Sequence, residues 1–193
     1  RFVIPNLCTA ASFLLGIGSV LMSATGELEL AAWLILWCVL LDKVDGTAAR
    51  LLKATSRFGF EFDSFADLVA FGIAPASLAY QIGRGFWGEA TGNAAALMVV
   101  ACFYALMAAL RLARFNAIGT QPGMRFFQGV PTTFSGACVA TTVLLVMRYH
   151  LQEPIWSAAF LALLILLGML MVSRLPLPKL QGRDPDTISE DNR

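Results

Sequence analysis

Charge is what this sequence has least of. Lys, Arg, Asp and Glu make up 14% of its 193 residues, against 58% apolar residues, and the mean hydropathy is +0.69. Soluble domains carry about a quarter charged residues. The scarcity therefore excludes an ordinary water-soluble domain and points to membrane-spanning helices. Paired cysteines are also lacking. Cys8, Cys38, Cys102 and Cys138 stand singly inside apolar runs with no C-x-x-C spacing, which excludes a disulfide framework and a zinc site and leaves small buried hydrophobes. There is no internal repeat and no second domain. The formal net charge of +1 says little, because the distribution of charges carries the information.

Six apolar runs are present. The first covers residues 3–22, behind Arg1, Pro5 and Asn6. It lacks a cleavage site followed by a soluble domain, so it is expected to be a retained span, and the start at Arg1 suggests a short preceding piece. The second run, residues 30–41, is apolar for only twelve residues, too few for a span of about twenty. Its helix must continue through residues 42–52. The third, residues 68–82, falls short in the same way and must extend back to about Phe60. A Gly-rich link follows, with Trp87 as interfacial anchor. Residues 94–110, 131–147 and 154–172 supply the remaining runs, and residues 173–193 form a polar, Pro-containing tail expected to be loosely ordered. The fold expected is an all-α integral membrane protein of six transmembrane helices.

Basic residues set the topology. Arg50, Lys53 and Arg57 fall between spans two and three, Arg111, Arg114 and Arg125 between four and five, and Arg174, Lys179 and Arg183 after span six. Only Arg84 and Arg148 lie on the other side. The positive-inside rule then places both termini at the cytoplasmic face. His150 falls on the far side, which gives it no catalytic role.

The scarce acids are concentrated in residues 42–67, DKVDGTAARLLKATSRFGFEFDSFAD. Asp42 and Asp45 are spaced i,i+3, and Asp63 and Asp67 i,i+4, so each pair shares a helix face. Two like charges about 4 Å apart repel by ~4 kcal/mol even at an effective dielectric of 20. Either some of the acids are protonated or cations compensate them. All-oxygen ligation favours Mg²⁺ or Mn²⁺, and acids from two helices suit a two-ion site. Gly46 and Ala49 share the face of the first pair, and Gly59 and Ala66 that of the second. These small residues leave room for a ligand against the backbone. Arg50 offers a forked donor set to a phosphate. Acids, metal, space and guanidinium together suggest a diphosphate ligand.

The pattern D-x2-D-G-x2-A-R-x8-G-x3-D-x3-D is matched by Asp42, Asp45, Gly46, Ala49, Arg50, Gly59, Asp63 and Asp67. It resembles the signature of the CDP-alcohol phosphotransferases, and the likeness extends over nearly the whole chain. The resemblance implies a transmembrane domain over residues 1–175 with a polar cytoplasmic tail over 176–193. It implies a reaction in which an alcohol attacks the β-phosphate of a CDP-linked lipid and CMP leaves. Asp42, Asp45 and Asp63 would ligate metal, with Asp67 both at the ion pair and acting as general base. Asp45, Gly46, Ala49, Arg50 and Gly59 would line the CDP-lipid site, and a homodimer in the inner (cytoplasmic) membrane, with its site facing the cytoplasm, is implied as well.

RLARFN (residues 111–116), FQGVP (127–131) and PNLCT (5–9) resemble the bacterial and archaeal phosphatidylserine synthase branch of that family. That implies CDP-diacylglycerol and L-serine as substrates, with no nucleic acid. Arg111, Arg114, Asn116 and Arg125 are the acceptor candidates, since a carboxylate suits an arginine fork. The same arginines also satisfy a purely topological reading. Asn6 and Thr9 can contact the CDP-lipid or simply begin the first helix. Glu61 lies outside the pattern and reads as a solvated flank. A salt-bridge network with Lys43, Arg50 and Arg57 is the structural alternative for the four acids, though intramembrane acids are costly and usually functional. Other acceptors (glycerol 3-phosphate, inositol phosphate) remain open, as does a six-span cation transporter. Transporters, however, place their sites near the midplane on broken helices. Here both pairs lie at one membrane face, on helices read as free of internal proline.

Overall fold

Uncharged apolar runs in lipid satisfy their backbone groups only within helices or closed barrels, and helices form here. The computed structural model describes residues 3–51, 57–87, 91–118, 126–150, 154–173 and 176–178. The helices are α1 (Val3–Thr25), α2 (Leu28–Leu51), α3 (Arg57–Asp67), a π-helical segment (Leu68–Ile73), α4 (Ala74–Trp87), α5 (Thr91–Ile118), α6 (Thr132–Arg148) and α7 (Pro154–Val172). Among the described residues, three stretches are long and apolar enough to cross a bilayer: Asn6–Thr25, Phe58–Gly85 and Ala94–Ala117. Thr132–Arg148 and Ala158–Val172 are apolar but shorter.

Helices α1 and α2 form a hairpin closed by Gly26. The Gly26 amide donates to Ser23 O at 3.1 Å and the Glu27 amide to Met22 O at 2.9 Å. This double bond pattern needs a left-handed residue after the last turn, and Gly26 supplies it at φ 92°. Buried Ser19 then ties the two helices together, its hydroxyl donating to Ala31 O at 2.8 Å.

The helix that carries Asp63 and Asp67 departs from expectation. It begins at Arg57 rather than near Phe60, and α3, the π-segment and α4 run on without a gap to Trp87. It also contains a proline, Pro75, fully buried in the first turn of α4. Proline brings no N–H to the carbonyl four residues back, which is that of Phe71. The wider i→i−5 turn absorbs the misfit: the Ala74 amide bonds Val69 O. The Tyr104 hydroxyl, from α5, donates to Phe71 O at 3.2 Å.

This segment is the centre of the packing. A Cβ at Gly16 of α1 would come within 3.0 Å of the Ala70 Cα, and one at Gly136 of α6 within 3.2 Å of the Phe71 Cα. Small residues at helix crossings let backbones approach this closely. Phe71, Ala70, Tyr104, Val139, Ala140 and Ile35 form one buried cluster at that crossing. Tyr104→Phe would leave the Phe71 carbonyl without this donor, at a cost of about 1–3 kcal/mol. Thermal unfolding in detergent should show that loss with the spans still formed. An unchanged midpoint would mean that the backbone alone satisfies the carbonyl.

A small strand pair is the other departure from an all-α reading. β1 (Phe126–Gln128) runs antiparallel to β2 (Pro176–Pro178), with Phe127 opposite Leu177. Prolines are tolerated on such an edge. The ribbon brings the first residues of the polar tail back against the loop before α6. Val130 N donates to Leu170 O at 3.1 Å, and Gly129 sits at φ 80° with carbonyls of α7 crowding where a Cβ would be.

Candidate active site

Helix geometry explains how two short acidic motifs become one site. Asp42 lies in the second half of α2, and Asp63 and Asp67 lie one turn apart on α3. The helices meet so that one carboxylate oxygen from each of Asp42, Asp63 and Asp67 lies within 4.8 Å of the others. All three are half-buried. Three carboxylates at that spacing offer an all-oxygen donor set, the chemistry that suits a hard divalent cation. The residues present therefore fit such an ion. The side chains of Asp45, Ala49 and Arg50, and the whole of Arg125, lie outside the described residues.

Gly46 borders open space: a Cβ added there would meet nothing within 4 Å. Gly59 is half-buried on the first turns of α3, while Asn6 is half-buried and Thr9 buried on α1. Phe62 of α3 packs against Phe13 of α1 and Phe58, with ring centroids 6.2 Å and 6.0 Å away.

The acceptor candidates separate into three environments. Arg111 points its Nη1 at Thr132 Oγ1, 3.4 Å away, and lies within Coulombic reach of Asp67. Arg114 donates instead to the last carbonyls of α7, Val172 O at 2.9 Å and Ser173 O at 3.4 Å. A cation there complements the negative end of the helix. Asn116 Nδ2 donates to Ser64 Oγ at 3.0 Å and reaches Glu61 Oε2 at 3.5 Å, which links α5 to α3 between Asp63 and Asp67. Glu61 is exposed, as expected for a solvated flank.

One group of site residues was not anticipated. The first turn of α6 brings Thr133 Oγ1 to within 3.4 Å of Asp42 Oδ2, donating to it, beside the Thr132 contact to Arg111. Ser135 lies on the same turn, fully buried. The available signal was the run PTTFS at residues 131–135, three hydroxyls opening an otherwise apolar stretch. Thr and Ser are common at helix starts, which hid it.

Comparison with known proteins adds a second line of observation. A family profile described as CDP-alcohol phosphatidyltransferase matches residues 2–173. A Helicobacter pylori protein named CDP-diacylglycerol–serine O-phosphatidyltransferase is 38% identical over 178 residues, 92% of this chain and 72% of that protein. A Bacillus subtilis protein of the same name is 35% identical over 70% of this chain and 72% of its own length. An archaetidylserine synthase from Methanothermobacter thermautotrophicus is 30% identical over 95% of this chain and 73% of that protein.

Proposed function

Since the chain belongs to the CDP-alcohol phosphatidyltransferase family, we propose that it transfers the phosphatidyl group of CDP-diacylglycerol to L-serine, giving phosphatidylserine and CMP. The geometric observation behind the reaction is the meeting of Asp42, Asp63 and Asp67 within 4.8 Å. The choice of serine rests on relatives named for that activity across most of the chain.

In this reading Asp42, Asp45 and Asp63 hold divalent metal, Mg²⁺ or Mn²⁺ and two ions in all, with Asp67 beside them. When bound, the metal neutralises charge on the diphosphate and on the leaving oxygen. Asp67 takes the proton of the serine hydroxyl. The hydroxyl oxygen bonds to the β-phosphorus, the bond from that phosphorus to CMP breaks, and CMP leaves with the electron pair. Asn6, Thr9, Gly46, Ala49, Arg50 and Gly59 line the CDP-lipid site, the open space at Gly46 giving the nucleotide room. Arg111 is the leading acceptor contact, because its Nη1 reaches Thr132, next to the Thr133 that donates to Asp42. Arg125 and Asn116 are further acceptor contacts. Arg114 has an alternative structural use at the end of α7.

The protein spans the inner membrane six times with both termini and the site at the cytoplasmic face, and it works as a homodimer. The basic residues beside the site support that orientation, and apolar helices of spanning length support the membrane setting.

Purified protein supplied with Mn²⁺ or Mg²⁺, labelled serine and CDP-diacylglycerol should form a labelled phospholipid and release CMP in equal amount. Chelation of the metal should abolish both. Consumption of glycerol 3-phosphate or inositol phosphate in place of serine overturns the acceptor and leaves the reaction class. Absence of metal-dependent CMP release with any acceptor would favour a cation transporter instead.

A further inference from the structure

Burial holds the helix that carries Asp63 and Asp67 only weakly. Among the described residues of α3, Ala66 alone is fully buried, at 2% exposure, while Phe58, Phe60 and Phe65 are exposed. The π-segment that joins α3 to α4, with Ala74 N bonded to Val69 O, holds more residues per turn than the usual ~3.6. The packed face of α4 therefore does not by itself set which way the two carboxylates point. We infer that Ser64 is a positioning residue for the metal site. Tied to Asn116 of α5, it holds α3 at the rotation that brings Asp63 and Asp67 to Asp42. The inference rests on the divalent-metal reading of those acids given above.

The tie has a defined geometry. Glu61 and Ser64 are spaced i,i+3 on α3, as are Ser64 and Asp67, so each neighbours the next. The Asn116 Nδ2 donates to Ser64 Oγ at 3.0 Å and reaches Glu61 Oε2 at 3.5 Å, which uses both amide hydrogens. Ser64 Oγ lies 3.2 Å from the Phe60 carbonyl and 3.1 Å from Asn116 Oδ1, so its own proton has an acceptor on either side. Next to the amide, the rings of Phe60 and Phe115 approach to 6.2 Å between centroids. Turning α3 by one residue, about 100°, would break all of these contacts together.

Its place on the helix is what makes the tie matter. Ser64 directly follows Asp63 and stands one turn before Asp67. A carboxylate lies about 5 Å from its helix axis, so a rotation of about 20° moves it nearly 2 Å. Oxygen ligands of Mg²⁺ must sit at about 2.0–2.1 Å in near-ideal geometry. The three acids meet within 4.8 Å, and a swing of that size would take one of them out of reach. Thr133 secures Asp42 from the α6 side, donating to it at 3.4 Å. Ser64 and Asn116 secure the other half from α5.

Ser64→Ala removes the tie and leaves the Asn116 side chain in place, so an acceptor contact by Asn116 keeps its group. Mn²⁺ binding to the purified protein without substrates can be followed by the spin resonance of the free ion. The dissociation constant should rise about tenfold in Ser64→Ala, the scale for losing a group that orients a ligand. The thermal midpoint should move by only a few degrees, and the serine KM at saturating Mn²⁺ should stay within about twofold. Ser64→Thr keeps the hydroxyl and should bind Mn²⁺ within about twofold of wild type. Ser64→Ala combined with Asn116→Ala should weaken Mn²⁺ no further than the stronger single change, because the two side chains act as one unit. Ser77→Ala is the control. Ser77 also joins two helices through a hydroxyl contact, 3.3 Å to Ser23, on the same continuous helix but away from the acids. Unchanged Mn²⁺ binding in Ser64→Ala overturns the inference, and so does an equal weakening in Ser77→Ala, the mark of general loosening. Wild-type protein that binds no Mn²⁺ overturns the metal reading and this inference together.

Discussion

Asp67→Asn should lower turnover by roughly 10²–10⁴-fold, the range for losing a positioned general base, while CDP-diacylglycerol still binds in the presence of metal. The reason lies in how the acids are arranged. Asp42 and Asp63 come from different helices, and Asp67 completes the group from one turn beyond Asp63, all within 4.8 Å. Asparagine keeps the shape and one oxygen of the side chain but cannot accept a proton at neutral pH. The variant also separates two roles that the geometry allows for this residue. If Asp67 serves chiefly as a metal ligand, raising Mn²⁺ should restore rate, and the metal titration should move to higher concentration. If it is the base, saturating metal should leave the rate low. Near-normal turnover would remove Asp67 from the proton step while leaving Asp42 and Asp63 as the core of the cation site.

Gly129→Val should cost on the order of 3–5 kcal/mol, combining overpacking with left-handed strain. Gly129 sits at φ 80°, where its missing Cβ would lie 2.5 Å from Met171 O, 3.0 Å from Ser173 O and 3.1 Å from Leu170 O. Those are backbone atoms of α7 and its end, so no rotamer change can relieve the contact. The loss should show first as local detachment of the β1–β2 ribbon, because Val130 loses its bond to Leu170 O. That matters for function, since Thr132 and Thr133 follow within a few residues and touch Arg111 and Asp42. Reduced folded yield, a lower thermal midpoint and a raised serine KM in the surviving protein are the expected readings. Gly129→Ala should fall in the same direction with a smaller effect. A stable and fully active Gly129→Val protein would mean that the ribbon does not hold the start of α6.

Much of this was legible in the order of residues alone, and the reason is physical. In lipid the backbone is satisfied only in helices or closed barrels, and apolar runs without the apolar–polar alternation of barrel strands leave helices. Each pair of aspartates at helical spacing must share a face whatever surrounds it, so Asp63 and Asp67 were recognisable as a unit. The fixed spacing from Asp42 to Asp67 pointed to the family, which the match over residues 2–173 then established. Local periodicity, however, says nothing about which helices meet. Only the tertiary structure brought Asp42 across to Asp63, turned Arg114 onto the end of α7 and Asn116 onto Ser64, and set Arg111 against Thr132. These are contacts between residues far apart in the chain, decided by packing. The π-turn before Pro75 belongs to the same class, because the Phe71 carbonyl finds its donor, Tyr104, on another helix. The hydroxyls of α6 were in plain view as PTTFS, yet a threonine at a helix start looks the same whether it caps, packs or serves a site. Its neighbours across the bundle make the difference.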